Sequence, residues 1–214
     1  MERKSEPALV SIIKNYFVAI AGAAIIALFL RIFVVEAFRI PTDFMSPMLL
    51  PGDHIFVNKL AYGGSFGISP KPPKRGDVVV FSFPNDPSKD YIKRVVAVDG
   101  DEIEIRAGQV ILNGKAVSRQ MNEDVFEEEV DGRKYFAKWA GVLPEARKMM
   151  PVTVPQGQFF VLGDNRAKGQ DSRGWGFLNY GYLKGRAAWI WFSAGSDGEG
   201  PLGLRWSRMF TRVN

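Results

Sequence analysis

The sequence predicts a mainly β fold: one antiparallel β domain behind a single N-terminal transmembrane helix. Three observations carry this reading. A run from Tyr16 to Leu30 holds no charge. After residue 40 the apolar pattern shortens to runs of Val, Ile and Phe punctuated by Gly, Pro, Asp and Asn, the pattern of short strands rather than helices. The dipeptides Asp99-Gly100, Ala107-Gly108 and Asn113-Gly114 read as tight turns between such runs. A length of 214 residues suits one domain with an appended segment.

The first element is the apolar run, which resumes after Arg31 with Ile32, Phe33, Val34 and Val35. A helix over 16–35 would be roughly 30 Å long, enough for a bilayer core. Arg31 lies near its end, where a long side chain can snorkel to the interface. A cleavable signal peptide is an alternative, with Arg3, Lys4 and Lys14 as its basic region and Val35-Glu36-Ala37 as a loose cleavage site, but Arg31 between the two argues against it. A buried core helix is the third reading. The anchor reading divides the chain into a cytoplasmic 1–15, a transmembrane anchor over 16–38 and a β domain over 39–214. Basic residues before the run keep the N-terminus in the cytoplasm and place the domain on the outer side.

Strands are expected over 54–59, 77–82, 91–98, 102–106, 109–112, 158–162 and 187–193. The more charged stretch 118–150 carries no chemical motif and reads as an inserted hairpin or flap. Trp189, Trp191 and Phe192 alternate with smaller residues as strand packing does. The tail 204–213 mixes Arg with aromatics, which suits either membrane headgroups or a solvated strand.

Composition narrows the chemistry. The chain has no cysteine, which excludes thiolate metal sites and a cysteine nucleophile. Its one histidine, His54, cannot form a two-imidazole metal site, and it reads as a strand-entry surface or interface residue. No metal or cofactor is expected. The net charge of +5 is spread along the chain without a basic run, and no nucleic-acid signature accompanies it.

Four stretches stand out: RIPTDFMSPMLLPGD (39–53), RGDVVVF (75–81), YIKRVVAVDGD (91–101) and GDNRAKGQDSRGWG (163–176). Strand alternation puts Lys93 on one face with Tyr91, Val95 and Ala97, where desolvation would lower its pKa and make it a general base; the plainer reading is a lysine snorkelling to solvent. The fourth stretch reads as a rigid loop braced by an Asp171–Arg173 ion pair.

These four stretches, in this order behind an anchor segment, with RIFVVEAFRIP (31–41) before them and KGRA (184–187) after, resemble the boxes of bacterial type I signal peptidases, the serine–lysine endopeptidases that remove signal peptides from exported proteins. The resemblance implies a single-pass protein of the bacterial inner (plasma) membrane with Lys93 as general base. Ile40, Pro41, Leu49, Tyr91 and Ile92 would line shallow substrate pockets, Thr42 would hold the oxyanion position, and Asp171 and Arg173 would form a structural pair. The implied partners are signal peptides of preproteins, the lipid bilayer, and an active signal peptidase or the secretion machinery.

The pattern departs from the family where the chemistry sits. The family's box reads I-P-S-G-S-M-x-P-T-L, and its nucleophile position is Phe44 here; the glycine before it is Asp43. The serine that orients the lysine is replaced by Gly169. Phenylalanine offers no lone pair, and its ring would occupy the space where a substrate carbonyl must approach to roughly 3 Å. The sequence therefore predicts a homologue that engages signal peptides with proteolysis lost or impaired. The alternatives are an active peptidase with Ser46 as a displaced nucleophile, two residues along an extended strand, and a scaffold without a cleft. On the first reading, serines at both 44 and 169 should restore more cleavage than a serine at 44 alone.

Overall fold

The computed structural model describes residues 8–63, 71–142, 147–200 and 202–214. It opens with α1 (Ala8–Phe33), a helix without an amphipathic stripe whose apolar stretch Ile12–Phe33 has mean hydropathy 2.3 and buries nothing against the rest of the chain. A helix apolar all round needs a nonpolar surrounding, and here the protein supplies none. The helix stops earlier than the expected 16–38 segment: Val35 to Arg39 form strand β1, paired antiparallel with β2 (Asp53–Asn58). Hydropathy continues through Val34 and Val35 because β-branched residues suit a strand as well as a membrane, so the apolar run conceals the junction.

The remaining strands, in chain order, are β3 (Val78–Phe83), β4 (Asp86–Val98), β5 (Glu102–Arg106), β6 (Gln109–Leu112), β7 (Lys115–Ala116), β8 (Ser118–Gln120), β9 (Val125–Val130), β10 (Arg133–Lys138), β11 (Met149–Thr153), β12 (Gln158–Leu162), β13 (Leu178–Asn179), β14 (Leu183–Glu199) and β15 (Thr211–Arg212). A one-turn helix, α2 (Ser172–Trp175), precedes β13. The main sheet runs β1-β2-β14-β3-β4-β12-β13, with β15 on β14, and its strand pairs are antiparallel. The mainly β, antiparallel fold expected from the sequence is therefore the observed one, and strands over 102–106, 109–112 and 158–162 fall on the expected residues. Ala107 and Asn113 both have positive φ ahead of a glycine, as two-residue hairpin turns require.

The stretch 118–150 is more than a single hairpin. β8, β9 and β10 form their own three-stranded sheet, while β11 joins β5, β6 and β7 in a four-stranded one. Both contribute to one apolar cluster, including Ile103, Val110, Phe126, Trp139 and Phe160. A second cluster gathers Ile40, Met45 and Leu49 against β2, β3 and β14. A third holds Val79, Phe81, Val95 and Val161.

The tryptophan expectation fails in part. Trp189 is 48% exposed, while Trp191 stacks on Phe56 and meets His54 edge-on, as does Phe192.

Candidate active site around Lys93

Lys93 lies on β4 opposite Val79 of β3, and it is only 2% exposed, so it does not snorkel. Burial pushes its pKa down to about 8; Asp171 and Asp164 pull it back up, and Arg173 lowers it further. The expected row of Tyr91, Lys93, Val95 and Ala97 on one face is interrupted. The pairing of β12 with β4 skips a residue between Phe160 and Val161, a bulge at Val96 that turns Ala97 toward the cluster of Ile103 and Phe160. A bulge changes the facing of every residue beyond it, and periodicity alone does not locate one.

Phe44 reaches the amine from the opposite wall. Lys93 Nζ stands 4.6 Å from the centroid of the Phe44 ring, a cation–π distance. The segment carrying the ring is pinned to the 163–168 loop. Asn165 N donates to Phe44 O (3.0 Å), Asn165 Nδ2 to Asp43 O (3.2 Å), and Lys168 Nζ to Asp43 Oδ2 (2.6 Å). Gly163 makes this approach possible, because a Cβ there would meet Phe44 O at 2.7 Å.

Ser46 sits differently from its expected place. The segment 44–48 forms turns, not a strand, with Ser46 N donating to Asp43 O (3.0 Å) and Leu49 N to Met45 O (2.9 Å). The two-residue strand repeat that would have set Ser46 beside Phe44 does not apply. Ser46 is 8% exposed and precedes a cis peptide bond to Pro47. Among the described residues no hydrogen bond joins it to Lys93.

The remaining candidates divide. Ile40 and Leu49 are buried together, with Ile92 packed against them, whereas Tyr91 lies on the other face of β4, stacked on Phe83 at 4.6 Å and edge-on to Trp175. Ile92 and Tyr91 therefore do not share one wall, as alternation along a strand dictates. Pro41 and Thr42 are exposed beside them. Asp171 and Arg173 form a bidentate pair, Nε to Oδ1 and Nη2 to Oδ2, each 2.8 Å. Asp171 also accepts from Gly163 N (3.1 Å), which ties the brace to the loop facing the amine. Gly169 is not an open seat for a side chain: an added Cβ would overlap Arg173 Nη2 and come to 3.0 Å from its Cζ.

Sequence reading missed two buried ion pairs beneath the loop. Arg94 binds Asp164 through Nε (2.8 Å) and Nη2 (2.7 Å), and Arg166 binds Glu128 of β9 (2.7 Å); all four side chains are fully buried.

The family model described as signal peptidase, peptidase S26, matches residues 13–192. Signal peptidase I of Rickettsia typhi is 35% identical over 216 residues, covering 85% of this chain and 81% of that protein. The protein of the same name from Pseudomonas fluorescens is 37% identical over 186 residues, covering 79% of this chain and 64% of that one. The crystal structure of a signal peptidase I from Enterococcus faecalis V583 aligns with a TM-score of 0.37 at 26% identity, over 54% of this chain and 97% of that chain.

Proposed function

The chain belongs to the signal peptidase family, peptidase S26, and from that premise we propose that it is a membrane-anchored homologue that engages the signal peptides of exported preproteins while its own proteolysis is lost or impaired. The observation that carries this reading is the Phe44 ring 4.6 Å from Lys93 Nζ. A serine–lysine peptidase needs a hydroxyl at that place, within about 3 Å of a neutral amine. Here the amine is buried and its pKa is lowered to about 8, as the base role requires, yet an aromatic ring faces it. Lys93 serves as the family's base position, Thr42 as the oxyanion position, and Ile40, Pro41, Leu49 and Ile92 as the peptide-facing side. Tyr91 supports them from the opposite face of β4. Asp171 and Arg173 hold the loop. In this reading the N-terminal helix places the cleft at the outer surface of the inner membrane, beside the secretion machinery or an active signal peptidase.

The test is cleavage of a preprotein whose signal ends in Ala-x-Ala by the detergent-purified full chain. Wild type should cross-link the preprotein without cleaving it. Phe44→Ser should raise cleavage about 10²-fold above background, the low end of what a positioned general base contributes, and the rate should climb as pH passes about 8 because only the neutral amine accepts a proton. Adding Lys93→Ala should abolish that gain. Robust wild-type cleavage that disappears in Ser46→Ala would instead establish the displaced nucleophile.

A further inference from the structure

A cavity lies away from Lys93. It measures about 660 Å³ and is walled by Arg133 and Lys134 of β10, Arg186 and Trp189 of β14, Arg212 of β15, and Asp77. Its lining carries four cationic side chains, one acidic side chain and Asn214, whose oxygen accepts from Arg94 Nη1 (2.7 Å). Asp77 is 3% exposed and organises two of the cations: Arg133 Nη1 donates to Oδ1 at 2.5 Å, and Arg186 Nη1 stands 3.6 Å from the same oxygen. Its other oxygen accepts from Tyr62 Oη (2.9 Å) and Lys74 N (3.0 Å). Burial pushes the Asp77 carboxyl up, but these donors hold it below the usual range, so it stays charged and keeps both guanidiniums turned into the cavity. Among the described residues Lys134 pairs with the exposed Glu129 at 3.4 Å, a pairing worth little in water. Arg212 is exposed.

Register places this cavity close to the end of the apolar helix. Asn58, also on its wall, pairs with Val35, two residues beyond the end of α1, and Arg186 pairs with Asn58. Arg186 is thus two strand spacings, about 10 Å, from the helix exit. Lys59 N donates to Val34 O (3.0 Å) and fixes this junction. Trp189, on the cavity wall, pairs in register with Phe56, which is 38% exposed. Half-exposed aromatics beside guanidiniums are the residue types that settle at a headgroup layer.

We propose that this cavity is a binding site for the phosphate-bearing headgroup of an anionic phospholipid in the membrane that α1 crosses. The phosphate lies between Arg186, Arg212 and Lys134, and Trp189 lies along the glycerol and upper acyl region. A phosphodiester meets guanidinium forks well; the membrane source follows from the closeness to α1. The inference rests on α1 being a membrane anchor, and the two can fail separately.

The experiment uses the full chain in a neutral detergent, with native mass spectrometry counting bound phosphatidylglycerol or phosphatidylcholine. Phosphatidylglycerol should bind preferentially, and Arg212→Glu and Lys134→Glu should each weaken it about tenfold, while Lys115→Glu, the same charge change at the exposed start of β7, should leave it nearly unaltered. Equal weakening by Lys115→Glu, or none by the two cavity variants, would overturn the site. Displacement of phosphatidylglycerol by millimolar inorganic phosphate would overturn the lipid source in favour of a free-anion site. Flotation of wild type with pure phosphatidylcholine vesicles tests the anchor alone; its failure would refute the anchor whatever the headgroup data show.

Discussion

The proposed role turns on a single ring beside a single amine. Desolvation lowers Lys93 from 10.5 to about 8, which corresponds to about 3 kcal/mol of cost to the charged folded state, partly offset by roughly 1 kcal/mol from the Phe44 face. Below pH 8 both folded and unfolded chains carry the charge, so the folded protein bears the net cost in full. Between about 8 and 10.5 only the unfolded chain keeps the proton, and stability climbs with pH. Lys93→Met should therefore stabilise the protein by about 1–3 kcal/mol at pH 7, an advantage that falls to a small fraction by pH 10; urea denaturation at the two pH values measures it. A flat pH response would mean that the amine is neither desolvated nor functional in the proposed sense. Gly169 reverses an expectation. With Arg173 held by Asp171 and by Arg166 O (2.8 Å), Gly169→Ser must displace a fixed guanidinium, at about 1–3 kcal/mol. The Phe44→Ser, Gly169→Ser pair should then cleave no faster than Phe44→Ser alone in the preprotein assay. A faster double variant would show that the loop yields to the hydroxyl.

At the scale of elements, the sequence disclosed most of the strands and concealed the role of the flap. VFEEEV (125–130) looks like a solvated charge run, yet its period-two pattern puts Phe126, Glu128 and Val130 on one buried face. Reading Glu128 with its apolar neighbours rather than with Glu127 and Glu129 would have exposed it; its partner Arg166, 38 residues later in the chain, gives no local signal. The bulge at Val96 and the turns over 44–48 were illegible for the same reason, since each depends on what the backbone packs against. Glu128 therefore bolts β8–β10 beneath the loop that faces Lys93. Glu128→Ala leaves Arg166 buried without a counter-charge, which should destabilise by about 3–5 kcal/mol and speed amide exchange both in β9 and β10 and around 163–166. Glu129→Ala, on the exposed side of the same strand, should stay within about 0.5 kcal/mol. Similar exchange behaviour in the two variants would refute the bolt.

At the scale of the whole molecule, the anchor, the cleft segment and the cationic cavity are arranged along one sheet. β1 leaves the helix at Val35, and a single row of paired residues runs Val35, Asn58, Arg186, Val79, Lys93. Four strand spacings, about 19 Å, separate the end of the apolar helix from the amine, a reach that suits the proposed engagement of a peptide still embedded in the bilayer. The apolar stretch Ile12–Phe33 spans 22 residues, about 33 Å as a helix against a core of about 30 Å. Arg31 in its last turn then lies at the interface on the domain side, and Lys14, near the start of the stretch, lies at the opposite end. In the proposed role, the positive-inside tendency puts that second end in the cytoplasm and the β domain outside, where exported preproteins emerge. The absence of cysteine makes this orientation directly measurable. Ser196→Cys, exposed near the far end of β14, should react with a membrane-impermeant maleimide in intact spheroplasts, and Ser5→Cys should react only after lysis. The reverse pattern would put the cleft on the cytoplasmic side, out of reach of a translocated signal peptide, and would remove the proposed role even if every contact around Lys93 were correct.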